Sequence, residues 1–459
     1  MEILVNAPIL PATEEREKAK RVREAMRDEY YKSIEPKIGK DATAALKKYC
    51  DMFDDELYIW FANLWEPEIG GFYFSNSARD TVGFGPDLES TVQILRDLHG
   101  LGLMPTGYDK EIPLEMREKL LNYARSLQDE NGYFYHPQWG KKINSSRRGR
   151  DLNWAVSMFE EFGATPFYKT PLEITEESSS TLPPYLKDTN AYKSFLSGLD
   201  IHSNSYFVGN TIGSLLNEIE AAGKDYIDIT IKWMNEMQIK ETGFFQNDLT
   251  DTSANGFMKL AGIYYRFKAD IPNLEKAFAN IINIVFDGNM RAHVCSSYNP
   301  WCSFDFIIDS VKRQNNTELL TKIRTILLEK APSLIDYTRQ KIELHIIGDG
   351  SFSYHVGVGS KMSQFSLISL GNLEGDVNAT SICTHGILRQ ICTDLDIPLM
   401  PLYCEEDKKI FLDLISKIEK PKKINPAPIE LYDTDAAYLL ACENGFVGSK
   451  KEWLGETEI

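Results

Sequence analysis

The 459-residue chain reads as an all-α protein, a ring of six helical hairpins with short β-like segments in its loops. Three observations predict this. Apolar residues recur at three- and four-residue spacing through most of the chain. Strand-like alternation is confined to FYF at 72–74, YFY at 133–135 and FSY at 352–354. Two separate motifs also recur at intervals that suit a repeated helical unit.

Helical spacing covers 13–33, 89–99, 111–128, 211–223, 225–239, 256–268, 273–286, 316–330 and 377–395. In LLNYARSL, Leu120, Leu121, Tyr123, Ala124 and Leu127 form one apolar stripe. The first motif appears as LWEPEIGGFYF (64–74), SLQDENGYFYH (126–136), EMQIKETGFFQ (236–246) and IIGDGSFSYH (346–355). Each copy runs from an apolar segment through a polar turn to a glycine and then an aromatic residue. Gly71, Gly132, Gly243 and Gly350 suit the left-handed conformations that end helices. Phe72, Phe134, Phe244 and Phe352 can then fold back beneath the helix end. The glycines are 61, 111 and 107 residues apart (71 to 132, 132 to 243, 243 to 350), the longer two close to double one repeat.

The second motif is an Asp or Asn near a helix start, where its side chain accepts hydrogen bonds from free backbone N–H groups. It occurs in GPDLESTVQIL (85–95), GRDLNWAVSMF (149–159), VGNTIGSLL (208–216), SANGFMKLAGIYY (253–265), NPWCSFDFIIDSV (299–311) and EGDVNATSI (374–382). Six such helices, each with an outer partner, make a ring of hairpins.

This helix–turn–Gly–aromatic repetition resembles the α/α-toroid superfamily of six-hairpin glycosidases, some polysaccharide lyases, terpenoid cyclases and protein prenyltransferases. The resemblance covers residues 40–430. It implies an active site in the cavity at one end of the ring, lined by loops and inner-helix starts, and it carries architecture better than chemistry. The expected organisation is a single domain over 1–459, with an N-terminal helical extension (1–39) and a C-terminal tail (446–459). The Pro/Ser/Thr/Glu-rich stretch 165–190 reads as a surface excursion or lid.

Composition narrows the partners. Fifty basic against 67 acidic residues give a net charge of −17, a field that repels phosphate backbones, so no nucleic acid is expected. No run approaches the length of a membrane span, and the N-terminus lacks a signal-peptide pattern. Seven cysteines without a C-x-x-C pair read as buried thiols, and the expectation is a cytoplasmic protein. No metal or cofactor is expected: the histidines form no H-x-x-x-H or H-E-x-x-H pair, and His293 with Cys295 supplies only two ligands. The lack of a zinc set argues against a prenyltransferase. DLTD (248–251) and DTDA (433–436) fall short of the acidic run of class II terpene cyclases.

The catalytic candidates are carboxylates on the proposed rim: Asp87, Glu89, Asp151, Glu374 and Asp376. Glycoside hydrolysis needs one protonated acid at the leaving oxygen and a second carboxylate to activate water or attack carbon. The bland alternative for each is a first-turn acid favoured by the helix dipole. The substrate-binding candidates are His136, Trp139, Arg150, Asn153, Trp154, Asn210, Asn255 and Trp301, since aromatic faces stack on sugar C–H groups and polar side chains pair with hydroxyls. Arg147 and Arg148 read as partners for the protein's own acids, whereas Arg150 could fork onto an anionic sugar.

The leading expectation is therefore a carbohydrate-active enzyme, a glycoside hydrolase pairing Asp87 or Glu89 with Asp151 or Glu374/Asp376 on an oligosaccharide. The alternatives are a lyase on the same scaffold, using His136 with Tyr135, Arg150 and Asn153, and a non-catalytic toroid that binds a ligand.

Overall fold

Helices form where the apolar spacing predicts them. In a computed structural model, which describes residues 6–173, 183–286, 293–363 and 366–425, the protein is predominantly helical. The main helices are α1 (Thr13–Ile38), α2 (Lys40–Cys50), α3 (Glu56–Asn63), α4 (Leu88–Gly100) and α5 (Leu114–Ser126). They continue with α6 (Ser145–Glu161), α7 (Thr189–Ser197), α8 (Ser205–Ser214), α9 (Lys224–Met237) and α10 (Asp251–Arg266). Next come α11 (Leu274–Val285), α12 (Cys295–Arg313) and α13 (Thr317–Glu343). A composite helix, α14, then joins Val377–Ser381, a π-helical turn at Ile382–Gly386 and Ile387–Asp394, before α15 (Glu405–Lys417).

The even-numbered helices from α4 onward make a circuit of contacts. α4 packs on α6, α6 on α8, α8 on α10, α10 on α12 and α12 on α14, and the first turn of α14 returns to α4. Among the others, α11 packs on α12 and α13, α13 on α2, and α15 on α1 and α3. Apolar residues from all these elements join one continuous buried cluster.

The four glycine motifs build one device. Gly71, Gly132, Gly243 and Gly350 all have positive φ, at 90°, 84°, 76° and 88°. Phe72, Phe134, Phe244 and Phe352 are buried behind them. The glycines do not end the helices, as the sequence suggested. Gly132 lies beyond Leu127, which closes α5, and each motif folds as a tight hairpin turn after a helix end. Asp129 N donates to Tyr133 O at 2.9 Å, and Ile347 N to Ser351 O at 2.9 Å. The aromatic segments make isolated bridges, such as Gln128 with Phe134 and Ile346 with Phe352, instead of strands. The described strands are Met362–Ser363 and Ser366–Leu367, which pair antiparallel.

All six expected helices of the second motif exist, but four begin earlier than predicted. Asp87 caps α4, accepting from Glu89 N at 2.7 Å, and Asp376 caps α14, accepting from Ala379 N at 2.8 Å. For α6, α8 and α10 the caps are Asn144, Asn204 and Thr250. Asp151, Asn210 and Asn255 lie inside those helices, and Asn299 lies inside α12. In α6, α10 and α12 the reason is physical: their first turns are rich in polar side chains, so the apolar period starts a turn or more late.

The two ends of the described chain meet at one residue. Asn6 Nδ2 donates to Asp80 Oδ1 at 2.6 Å, and Lys422 N donates to Asn6 Oδ1 at 2.9 Å. Ile424 N donates to Asp80 O at 2.9 Å. Arg79 binds the Asp80 carboxylate as well, at 2.6 Å. The proposed extension 1–39 thus contributes α1, whose buried Arg27 donates to Leu402 O at 2.8 Å. Of the expected lid, 165–173 and 183–190 are described. The tail 446–459 and the DTDA run lie outside the described residues. Among those described, no helix is long and apolar enough to cross a membrane.

α8 and α10 approach closely because glycine occupies the contact. A Cβ at Gly256 would lie 1.8 Å from Ser205 Oγ and 2.8 Å from Tyr206 N. Alanine normally gains about 1 kcal/mol over glycine inside a helix. Here overpacking outweighs that gain, and Gly256→Ala is expected to cost about 1–3 kcal/mol net, read from urea unfolding.

Candidate active site

Five charged side chains from α4 and α6 form a buried cluster. The Arg147 guanidinium is fully buried and meets Asp87 Oδ2 at 2.8 Å, Glu89 Oε2 at 2.9 Å and Asp151 Oδ1 at 2.9 Å. Arg150 forks onto Glu89, Nε to Oε2 at 3.0 Å and Nη2 to Oε1 at 2.5 Å. Glu89 also accepts from Ser363 Oγ at 3.3 Å. Two guanidiniums face three carboxylates, which leaves one surplus negative charge. Asp151 absorbs it: burial, with the charges of Asp87 and Glu89 against Arg147, pushes its carboxyl up to about 7. Glu89 goes the other way, since Arg150 and Arg147 outweigh its burial and hold it below the usual carboxylate range.

Of the expected acid pairs, those of Asp87 or Glu89 with Asp151 fall inside this one cluster. Asp87, Glu89 and Asp151 do not confront one another across a gap as free acids. They share one guanidinium, and both Glu89 oxygens are engaged. Arg147, read as a partner for the protein's own acids, is that partner, and Arg150 joins it.

Asp376 is different. Its carboxyl is 2% exposed, and Oδ1 caps α14 while Oδ2 has no hydrogen-bond partner. Burial, against the capping N–H of Ala379 and with the charges of Glu374 and Glu89 nearby, pushes it up to about 7. Glu374 has a similar environment beside Ser77: Oε2 accepts from Ser77 N at 2.8 Å, Oε1 is unpartnered, and burial pushes the group up to about 7.

The start of α12 adds groups the sequence did not single out as a site. Cys295 Sγ lies 3.1 Å from Tyr354 Oη, and the His293 ring hydrogen-bonds the thiol. Ser296 Oγ donates to Asp251 Oδ2 at 2.8 Å, and His293 Nε2 is 4.0 Å from that oxygen. Tyr206 hydrogen-bonds Tyr354, and the Lys259 ammonium sits 5.5 Å from the Tyr206 ring centroid. Tyr354 also feels the charge of Asp376. The starts of α8, α10 and α12 are thus linked through one polar network, with the charge of Asp376 at the start of α14 nearby.

Where α6, α8, α10 and α12 meet lies a cavity of about 220 Å³. Arg150, Asn153, Asn210 and Lys259 line it, with Gly209, Gly213 and Gly262 making room. Three expected binding residues therefore share one cavity. Asn255 sits within hydrogen bonds to Asp251 and Asn299, at 3.3 and 2.9 Å. Trp154 is flanked by Arg96 and Arg150, 5.1 and 5.6 Å from its ring.

Two expected ligand contacts serve the fold instead. Trp301 is buried, and its indole N–H donates to Thr338 Oγ1 at 2.9 Å, so it offers no face to a sugar. His136 is buried with Nδ1 accepting from Gln138 N at 3.1 Å, so the proton sits on Nε2, which meets Pro86 O at 2.7 Å. Burial keeps its pKa low. With both nitrogens committed to backbone, His136 cannot serve as the base of the lyase alternative. Trp139 stacks on it at 4.3 Å, and its ring centroid lies 4.9 Å from the Arg147 guanidinium, so this pair walls the charged cluster.

The chain matches no protein-family model, no curated protein and no solved structure.

Removing Arg147 strands the buried carboxylates of Asp87 and Asp151, while Glu89 keeps Arg150, so Arg147→Met is expected to cost about 3–5 kcal/mol in urea unfolding. Arg147→Lys keeps the charge but loses the fork and should fall between. A second test uses pH. The folded carboxyls of Asp151, Glu374 and Asp376 titrate at about 7, above ordinary values of 3.8 or 4.5. Their stabilisation is complete below the ordinary values and is lost as pH rises through 7. Asp376→Asn should therefore gain melting temperature relative to wild type on going from about pH 5 to about pH 8.

Proposed function

We propose that the six-helix circuit is an (α/α)6 toroid forming a single domain, and that the protein is a carbohydrate-active hydrolase whose proton donor is Asp376. The observation that carries this reading is the state of Asp376 at the convergent helix starts: a buried carboxyl, titrating at about 7, with one oxygen unclaimed. A general acid works best with a pKa near the operating pH, which this environment supplies. Glu89, on the neighbouring helix start, is held ionised by two arginines, so the two environments split the carboxylates in the way acid–base assignments require. The cavity beside Arg150, with the amides of Asn153 and Asn210, offers hydrogen bonds suited to sugar hydroxyls. The substrate class is an oligosaccharide, and the adjacent Lys259 and Arg150 make an anionic one suitable.

Asp376→Asn should lower turnover of an oligosaccharide by about 10²–10⁴-fold, measured as reducing ends released, with far-UV circular dichroism unchanged. Dinitrophenyl glycosides, whose leaving group needs no proton, should be spared in the cleavage step. The wild-type rate on oligosaccharide should fall as pH rises through about 7, where the donor form disappears. Equal loss on both substrate types would sink the assignment.

A further inference from the structure

The cavity where α6, α8, α10 and α12 meet is lined by a cation that has no anion of its own. Lys259 faces it from the middle of α10, and among the described residues its ammonium makes no ion pair and no hydrogen bond. The Tyr206 ring lies 5.5 Å from it. Glu89, whose charge reaches Lys259, already engages both oxygens with Arg147 and Arg150. Burial and the charge of Arg150 push the Lys259 ammonium below the ordinary lysine range. A desolvated ammonium without a counter-charge is unfavourable, and in a chain of net charge −17 acids to pair it are not scarce.

The rest of the lining describes the missing partner. Arg150 commits Nε and Nη2 to Glu89, and its Nη1 has no hydrogen bond among the described residues. Asn153 Oδ1 is buried without a partner and can accept from a hydroxyl. Arg150, Gly213, Lys259 and Phe306 are only partly buried, so the hollow communicates with solvent. Its volume of about 220 Å³ matches about seven waters at roughly 30 Å³ each, room for one small molecule and not for a chain.

The walls also choose among anions. Phosphates are commonly held by free backbone N–H groups at a helix N-terminus or in a nest. Here Gly209 and Asn210 lie inside α8, and Met258 and Lys259 inside α10, so their N–H groups are used within the helix. One unpaired ammonium and one half-used guanidinium suit a single negative charge.

We propose that this cavity binds a small hydroxylated carboxylate, the size of one sugar acid, with Lys259 as the partner of its carboxylate and Asn153 as the acceptor for a hydroxyl. The proposal rests on the sugar-binding part of the reading above and not on Asp376 as proton donor.

The test is calorimetric titration of the whole protein at neutral pH with D-glucuronate, D-glucose and inorganic phosphate. Glucuronate should bind at least about tenfold more tightly than either of the others. Lys259→Met keeps the length of the stem and removes the charge, so it should weaken glucuronate at least about tenfold while melting no lower than wild type. Gly213→Leu is the second variant. A Cβ at Gly213 meets no atom within 4 Å, so the side chain should enter the cavity and abolish binding without disturbing α8. Glucose binding as tightly as glucuronate would remove the role of charge. Unchanged glucuronate affinity in both variants, or no heat with any probe, overturns the site. Phosphate displacing glucuronate at lower concentration overturns the carboxylate class. None of these measurements uses turnover. Glucuronate binding as expected while Asp376→Asn stays fully active sinks the proton donor alone, and the reverse result sinks this site alone.

Discussion

A guanidinium with no access to water holds this molecule's centre together. Arg147 belongs to α6, yet two of its three carboxylate partners, Asp87 and Glu89, belong to the start of α4. A buried ion cluster of this kind is poor evidence for net stability, because desolvation cancels much of the attraction. What it supplies is position. Removing either arginine leaves uncompensated negative charge inside, and the ion pairs that cross from α6 to the start of α4 tie the two helices to one register.

The remaining helix starts follow the same logic in weaker form. Polar side chains occupy the interior ends of α8, α10, α12 and α14, where a purely structural packing would put leucine and valine. Each of these groups is bound to another: Asn255 to Asp251 and Asn299, Ser296 to Asp251, Tyr354 to Cys295. Other buried polar atoms have no hydrogen-bond partner, among them single oxygens on Asp376, Glu374, Asn153 and Asn299.

The helices were legible in the sequence because their outer faces obey the apolar period. Helix starts were not, and the cause is specific. In α6 and α10 the first turns are rich in polar side chains, so the pattern that signals a helix begins only after the helix has. The glycine turns were legible as positions, since only a residue tolerant of positive φ fits there, though their role as hairpin tips depends on contacts no local pattern reveals. Asp376 was found because capping has a sequence signature. Arg150, Asn153 and Asn210 were found as polar residues near helix starts and do share a cavity. Trp301 and His136 misled because a partner such as Thr338 or Pro86 O, distant in sequence, decides whether a polar aromatic points outward.

The meeting of Asn6, Lys422 and Ile424 at Asp80 bears on how the molecule is born. α4 emerges early from the ribosome, but the helix that packs against its open side, α14, is made some 290 residues later (377 against 88), and the segment that stitches the seam follows α15. During synthesis the acids at the tip of α4 can find Arg147 promptly, while the flank that will receive α14 stays wet. A nascent chain therefore carries the uncovered apolar flank of α4 for most of its translation, the stretch of its life when a chaperone has most to offer it.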